Sequence, residues 1–151
     1  MPSSNPLPLI HELIVAAHRL TRVAAQSTGS STPAAVWSTL SILSADGPLR
    51  IGDLARTARV SQPTMTKLLQ HLVEEELVCR IADVEDSRAW LIDIGSKGAK
   101  ALDDWRLQLG EALWPLFADL TDDETETLQR AARILAARTN MTRNTNAKVA
   151  Q

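Results

Sequence analysis

The sequence predicts a mainly α-helical chain with one small β-hairpin, an α+β arrangement in which helices dominate. Three observations carry this. Apolar residues recur at spacings of three and four along six separate stretches. Capping and breaking residues stand between those stretches, where helix starts and stops need them. Two short β-rich runs, at 77–81 and 90–94, flank a polar, turn-prone segment from Ala82 to Ala89.

The first helix is expected from Leu7 to about Thr28, with Ile10, Leu13, Ile14, Ala17, Leu20, Thr21 and Ala24 on one side. Ser27-Thr28-Gly29-Ser30-Ser31 is a polar break. Thr32 is the expected N-cap of a second helix, with Pro33 at its first position. That helix carries Val36, Trp37, Leu40, Ile42 and Leu43 and stops before Asp46-Gly47-Pro48. A short helix, Ile51 to Ala58, places Ile51, Leu54, Ala55 and Ala58 on one stripe. Arg59 and Val60 form a tight turn in which Val60 is expected to plug the gap between helices.

Ser61 is a good N-cap for the next helix, because its hydroxyl can accept a free backbone N–H of the first turn. Pro63 is tolerated there, since those N–H groups have no helical partner. This helix should bury Met65, Leu68, Leu69, Leu72 and Val73. Its other face presents Gln62, Thr64, Thr66, Lys67, Gln70 and His71. Cys79, in the first strand, is expected to be buried.

Ser96 or Gly95 should start a long helix running to about Asp119, with Ala99, Leu102, Trp105, Leu109, Leu113, Leu116 and Phe117 inward. Pro115 should kink or end it. Thr121-Asp122-Asp123-Glu124 has the form of a capping box for a last helix to about Thr139. Leu128, Ala131, Ile134 and Leu135 face inward there. Beyond Asn140 the chain is polar and expected to fray.

Two short helices joined by a tight turn, the second with an exposed polar face, make a helix-turn-helix. A hairpin directly after it is a wing. The run Asp53-Leu54-Ala55, then Val60-Ser61-Gln62-Pro63-Thr64-Met65-Thr66-Lys67-Leu68, then Leu77-Val78, Asp86-Ser87-Arg88-Ala89 and Lys97-Gly98, resembles the MarR family of bacterial winged helix-turn-helix regulators. The specific motifs lie in the middle third of the chain. The resemblance implies one domain over 1–151, with a DNA-binding region at 33–94 and dimerisation helices at 7–28 and 96–140. It implies a homodimeric repressor that binds double-stranded DNA at a pseudo-palindromic operator and is relieved by a small-molecule effector.

Side-chain reach suggests the roles. Gln62 can donate and accept together, which suits an adenine edge; a good bidentate pair gives ~1–3 kcal/mol of discrimination. Pro63 and the methyl groups of Thr64 and Thr66 suit thymine methyls. The Thr hydroxyls and Lys67 suit phosphate, which fixes register rather than sequence. Gln70 and His71 lie a turn further on, near backbone. Ser61 acts first as a cap. Arg88 suits a narrow minor groove, with Asp86 matching the family's Asp-x-Arg and orienting the guanidinium. Many members of the family carry a second arginine where this chain has Ser87, and glycine where it has Glu76. Glu76 therefore implies a different or strained helix end. For an effector, the resemblance directs attention to the junction of the dimerisation helices with the winged region. His11, His18, Trp37, Trp105 and Trp114 are the candidate lining residues.

Composition bounds the alternatives. The 151 residues are 44% hydrophobic and 23% charged, with a formal net charge of −2, which fits a soluble globular domain with a substantial core. No apolar run is long enough to cross a bilayer. The opening residues carry no basic group before the first apolar run, so no signal peptide is expected. A lone Cys79 fits a reducing cytoplasm. His11 and His18 have no clear third partner, so no metal is expected. No cofactor or enzyme is expected, because metal-ligand clusters, glycine-rich phosphate loops and nucleophile motifs are missing from the sequence. The segment 49–90 sets Arg50, Arg56, Arg59, Lys67, Arg80 and Arg88 against seven acids. Its acidic wing keeps open a second function, a winged-helix protein-interaction module without DNA binding.

Overall fold

A computed structural model of the chain describes residues 5–149, with side chains described through residue 140. The opening stretch read for a signal peptide begins outside the described residues. Two compact units divide the chain, Met1–Leu113 and Trp114–Gln151.

The first unit holds five helices and a three-stranded antiparallel sheet. Its elements are α1 (Leu7–Thr28), α2 (Ala34–Asp46), β1 (Leu49–Arg50), α3 (Ile51–Ala58), α4 (Gln62–Glu74), β2 (Val78–Ala82), β3 (Trp90–Ile94) and α5 (Ser96–Leu113). The sheet order is β1-β3-β2. Leu49 stands opposite Ile92, and Val78 opposite Ile94. The hairpin was legible in the sequence to within a residue, but β1 was not. It is two residues long, and its pairing partner lies some forty positions downstream, beyond the reach of local periodicity.

The core is built where α2, α3 and α4 meet β2, β3 and α5. Val36, Leu40, Leu43, Leu54, Ala55, Met65, Leu69, Leu72, Val78, Ile92 and Leu102 are buried together. Leu40, Leu54, Leu72 and Ile92 have no exposed surface at all. Each is an expected inward position except Ile92, which the hairpin register fixes. Full burial of such side chains contributes roughly 1.5–3 kcal/mol apiece.

Several local expectations are corrected. The α2 cap is Pro33 in extended backbone without a side-chain hydrogen bond. Thr32 does not cap; its N–H donates to Ser30 Oγ at 3.2 Å. Val60 is exposed rather than a plug. Cys79 is exposed, because only the first residue of β2 turns into the core. The last turn before Pro115 ends α5 at Leu113, well short of Asp119, and Trp114–Leu116 form a 3-10 turn. Proline lacks the N–H that continuation would need.

Two helix ends use left-handed backbone at non-glycine residues, Arg59 (φ 59°) and Glu76 (φ 60°). Both close six-residue loops of the Schellman type. Val60 N–H donates to the Ala55 carbonyl at 3.0 Å, and Leu77 N–H to the Leu72 carbonyl at 2.9 Å. Glu76 thus sits at the strained helix end that its replacement of glycine implied. Its contact with Lys97 spans 3.9 Å between exposed groups and adds little. Glu76→Gly is therefore expected to stabilise the protein by about 0.5–1 kcal/mol, since left-handed backbone costs an L-residue roughly 1–2 kcal/mol and glycine's looser unfolded chain returns part of that. A rise in thermal midpoint checks this, and a fall contradicts it.

The second unit holds the 3-10 turn and α6 (Asp122–Val149), which runs past the expected stop near Thr139. Its capping box is formed as expected. Thr121 N–H donates to Glu124 Oε2 at 2.9 Å, and Glu124 N–H to Thr121 Oγ1 at 3.2 Å. The Thr121 N–H and hydroxyl hold the Glu124 carboxyl below its ordinary range.

Two apolar faces lie open. On α1, Ile10, Ile14 and Leu20 are exposed, and only Ala24 is fully buried. On α6, Leu128, Ile134 and Leu135 are exposed. These were expected to face inward, and within a single chain they do not.

Candidate nucleic-acid interface

The interface is built on α4. Ser61, in extended backbone, caps it by accepting from Thr64 N–H. The Ser61 and Thr64 hydroxyls also share a hydrogen bond of 2.7 Å. The helix then turns Met65, Leu69 and Leu72 into the core. Its 3.6-residue period leaves the opposite side to solvent. Gln62, Pro63, Thr66, Lys67 and Gln70 line one open concavity along that side. The structure thus brings five of the eight candidate α4-region residues onto one surface. Ser61 and Thr64 are engaged in the cap, and His71 is exposed outside the concavity.

Lys67 is the one cation among these five residues. The Gln62 amide lies over Gly52, where a Cβ would stand 3.6 Å from Gln62 Oε1, an ordinary contact distance. On α3, Arg56 pairs with Asp53 at 3.2 Å. Arg59 is exposed in the turn leading to Ser61.

The wing is pinned from within. Arg50, the last residue of β1, donates through Nε and Nη2 to Asp83 Oδ2 at 2.9 and 2.5 Å. Asp83 Oδ1 accepts from Glu85 N–H at 3.0 Å, and Asp83 N–H donates to the Ala89 carbonyl at 3.2 Å. The Glu85 N–H and the Arg50 guanidinium together hold the Asp83 carboxyl below its ordinary value of 3.8. One acid of the acidic wing, Asp83, is therefore buried and paired with Arg50. Sequence reasoning missed this pair, because thirty-three positions separate its members and no local pattern links them.

A carboxyl depressed on folding stabilises the fold above the unfolded-state value, and that stability is lost as pH falls through the folded-state value. Asp83→Asn is expected to lower stability at pH 7, and the gap to the parent should close as both are taken below about pH 4. Thermal melts across pH check this; a gap that is constant with pH contradicts it.

Asp86 does not hold the Arg88 guanidinium. Its Oδ1 accepts from Arg88 N–H at 3.0 Å, and its carbonyl accepts from Ala89 N–H at 3.0 Å. The side chain shapes the turn instead, as aspartates in such turns do. Arg88 is exposed at the wing, and Val84 at its tip is 98% exposed.

A second feature lies among α1, α2 and α5. Trp37 and Trp105 stack with centroids 4.8 Å apart and planes within 8°. They form one wall of a cavity of about 500 Å³, which Thr21, Thr28, Ser38 and Ser41 also line. Of the effector candidates, the structure brings Trp37 and Trp105 together here. His11 and His18 are exposed on α1 and do not line it. Trp114 is exposed in the second unit. No group of three metal-ligating side chains occurs among the described residues.

A recognition-type helix behind a tight turn, followed by a pinned hairpin, defines the class: a winged helix-turn-helix protein. Residues 34–90 match the model of the MarR family. The uncharacterized HTH-type transcriptional regulator YpoP of Bacillus subtilis is 35% identical over 89 residues, 59% of this chain and 63% of its own length. The chain thus matches less than two thirds of that relative. Among solved structures, transcriptional regulator Tm0710 of Thermotoga maritima superposes with a TM-score of 0.71 at 20% identity, covering 93% of this chain and 98% of that one. Apo MarR of E. coli gives 0.66 at 21% identity, covering 85% and 96%. A MepR mutant of S. aureus bound to an oligodeoxyribonucleotide gives 0.60 at 21% identity, covering 87% and 97%. At these identities the structural matches speak to the fold.

Proposed function

We propose that the chain is a sequence-specific double-stranded DNA-binding transcriptional regulator, a homodimeric repressor relieved by a small aromatic or phenolic ligand. One observation carries the reading. The solvent side of α4 gathers Gln62, Pro63, Thr66, Lys67 and Gln70 on one surface, with Arg88 exposed on the adjoining wing. In this arrangement the N-terminal part of α4 enters the major groove and Lys67 meets phosphate. Arg88 reaches toward the minor groove. The family's members act as regulators rather than enzymes.

The dimer is supported by the exposed apolar faces of α1 and α6. Large apolar faces of this kind are covered in soluble proteins by a partner, and a twofold copy is the simplest one. The DNA-binding region is then 33–94, and the helices at 7–28 and 96–140 join the subunits. Such a regulator works in the cytoplasm. No helix among the described residues is long and apolar enough to cross a membrane. The MepR structures bound to an oligodeoxyribonucleotide and to ethidium bromide lend the reading precedent in fold.

Exposed Glu85 and Asp86 in the wing favour the second reading, a winged-helix protein-interaction module. Fluorescence anisotropy against the DNA flanking the chain's own gene separates the two. The first expects a complex that weakens steeply with salt, with Lys67→Ala reducing the slope of log affinity against log salt by about one. Absence of any salt-sensitive complex selects the second. Sedimentation of the free protein should show a dimer, and a monomer at micromolar concentration contradicts the proposal.

A further inference from the structure

The turn between α3 and α4 holds a cation where the backbone favours glycine. Arg59 has φ 59°, a left-handed conformation that any residue with a Cβ adopts at a cost. The Schellman loop it closes needs that conformation and not that side chain. Nor does an ion pair account for the arginine. Across 49–98, Arg50, Arg56 and Lys97 are paired with Asp83, Asp53 and Glu76. The side chains of Arg59, Lys67, Arg80 and Arg88 have no ion pair or hydrogen bond among the described residues. The helix dipoles give no net return either. Arg59 stands at the C-cap of α3, where a cation is favoured, and just before the Ser61 cap of α4, where it is disfavoured. Backbone strain kept without a structural return marks functional positions.

We infer that Arg59 is a DNA-phosphate contact, gripping the backbone at the edge of the major groove where α4 enters it, without reading sequence. The inference rests on the DNA-binding reading above and adds a residue to it. Arg59 is exposed and lies three positions before Gln62, at the end of α4 that leads into the groove. Its guanidinium is always charged and offers phosphate a planar fork of donors. Because it is engaged with no acid of its own chain, binding breaks no ion pair. A phosphate contact fixes register and carries no base preference. The free protein thus gives up stability at residue 59, and the complex recovers it as affinity.

Arg59→Gly is expected to move two readouts of the full chain in opposite directions. Its thermal midpoint should rise by about 2–4 °C as the strain is relieved. Its affinity, measured by anisotropy, should fall by about tenfold per protomer at about 0.1 M salt, with the slope of log affinity against log salt reduced by about one per protomer. The loss should be equal for two duplexes of one length, the DNA flanking the chain's own gene and a scrambled sequence. Arg59→Lys, which keeps the charge, should keep the parent slope. Glu76→Gly relieves the same strain at the far end of α4 and should raise the midpoint without lowering affinity. An unchanged slope in Arg59→Gly overturns the inference. So does a loss confined to one duplex, a lowered midpoint, or a slope reduced as much in Arg59→Lys. These results leave the DNA-binding reading standing. A parent chain that forms no salt-sensitive complex with either duplex removes that reading, and the contact with it.

Discussion

Gly98→Ala is expected to destabilise the protein by about 3 kcal/mol or more, at the upper end of what overpacking costs. Gly98 is buried in the first turns of α5. A Cβ placed on it would stand 2.0 Å from the Leu77 carbonyl oxygen, 2.9 Å from that carbonyl carbon and 3.2 Å from Ile94 Cγ1. The first two are backbone atoms, and the Leu77 carbonyl is further held by Gly95 N–H at 2.9 Å. No rotamer change relieves such a contact; α5 must lift off the hairpin base. That movement would disturb Leu102, which α5 contributes to the core. Thermal unfolding should show a midpoint lowered by about 10 °C for a chain of this size. An unchanged midpoint would mean that α5 does not lie on Leu77 as described.

Gln62→Ala is expected to leave nonspecific DNA binding nearly intact while flattening preference at one base pair of each half-site. The expected loss of discrimination is ~1–3 kcal/mol per site, the range for a bidentate side-chain–base pair. The argument is positional. Gln62 is the first residue of α4, exposed on the stripe. Lys67, one turn on, carries a charge that any phosphate satisfies, so Lys67→Ala should weaken all sequences alike. Competition binding with operators altered one base pair at a time distinguishes the two variants. If Gln62→Ala weakens every sequence equally, Gln62 is a backbone contact and the base reader lies elsewhere on α4.

Legibility followed locality. The bounds of α1, α3, α4 and β3, the Ser61 cap and the Thr121–Glu124 box rest on residues within a turn or two of one another. Capping, periodicity and backbone preference act at that range, so the sequence displays them. The Arg50–Asp83 pair, strand β1 and the close approach of Gly98 to Leu77 depend on pairings across twenty or more positions. Composition cannot display those. Cys79 failed for a related reason, because alternation in a short strand does not reveal which face the rest of the fold covers. Asp86 shows a different limit. The resemblance implied a side-chain pair with Arg88, but a short carboxylate reaches the neighbouring backbone N–H first. For the candidate interface, the stripe from Gln62 to Gln70 was legible because one helix supplies all of it. The tryptophan cavity was only half legible, since three helices must meet before His11 and His18 are seen to lie outside it.

Selection of bound sequences from random duplex DNA by the purified full chain tests the central claim most directly. Two copies of α4 held by a twofold axis should enrich an inverted repeat whose half-sites lie about 10 base pairs apart, centre to centre. Recovery of unenriched DNA, or of a single asymmetric site bound by one protomer, would contradict it.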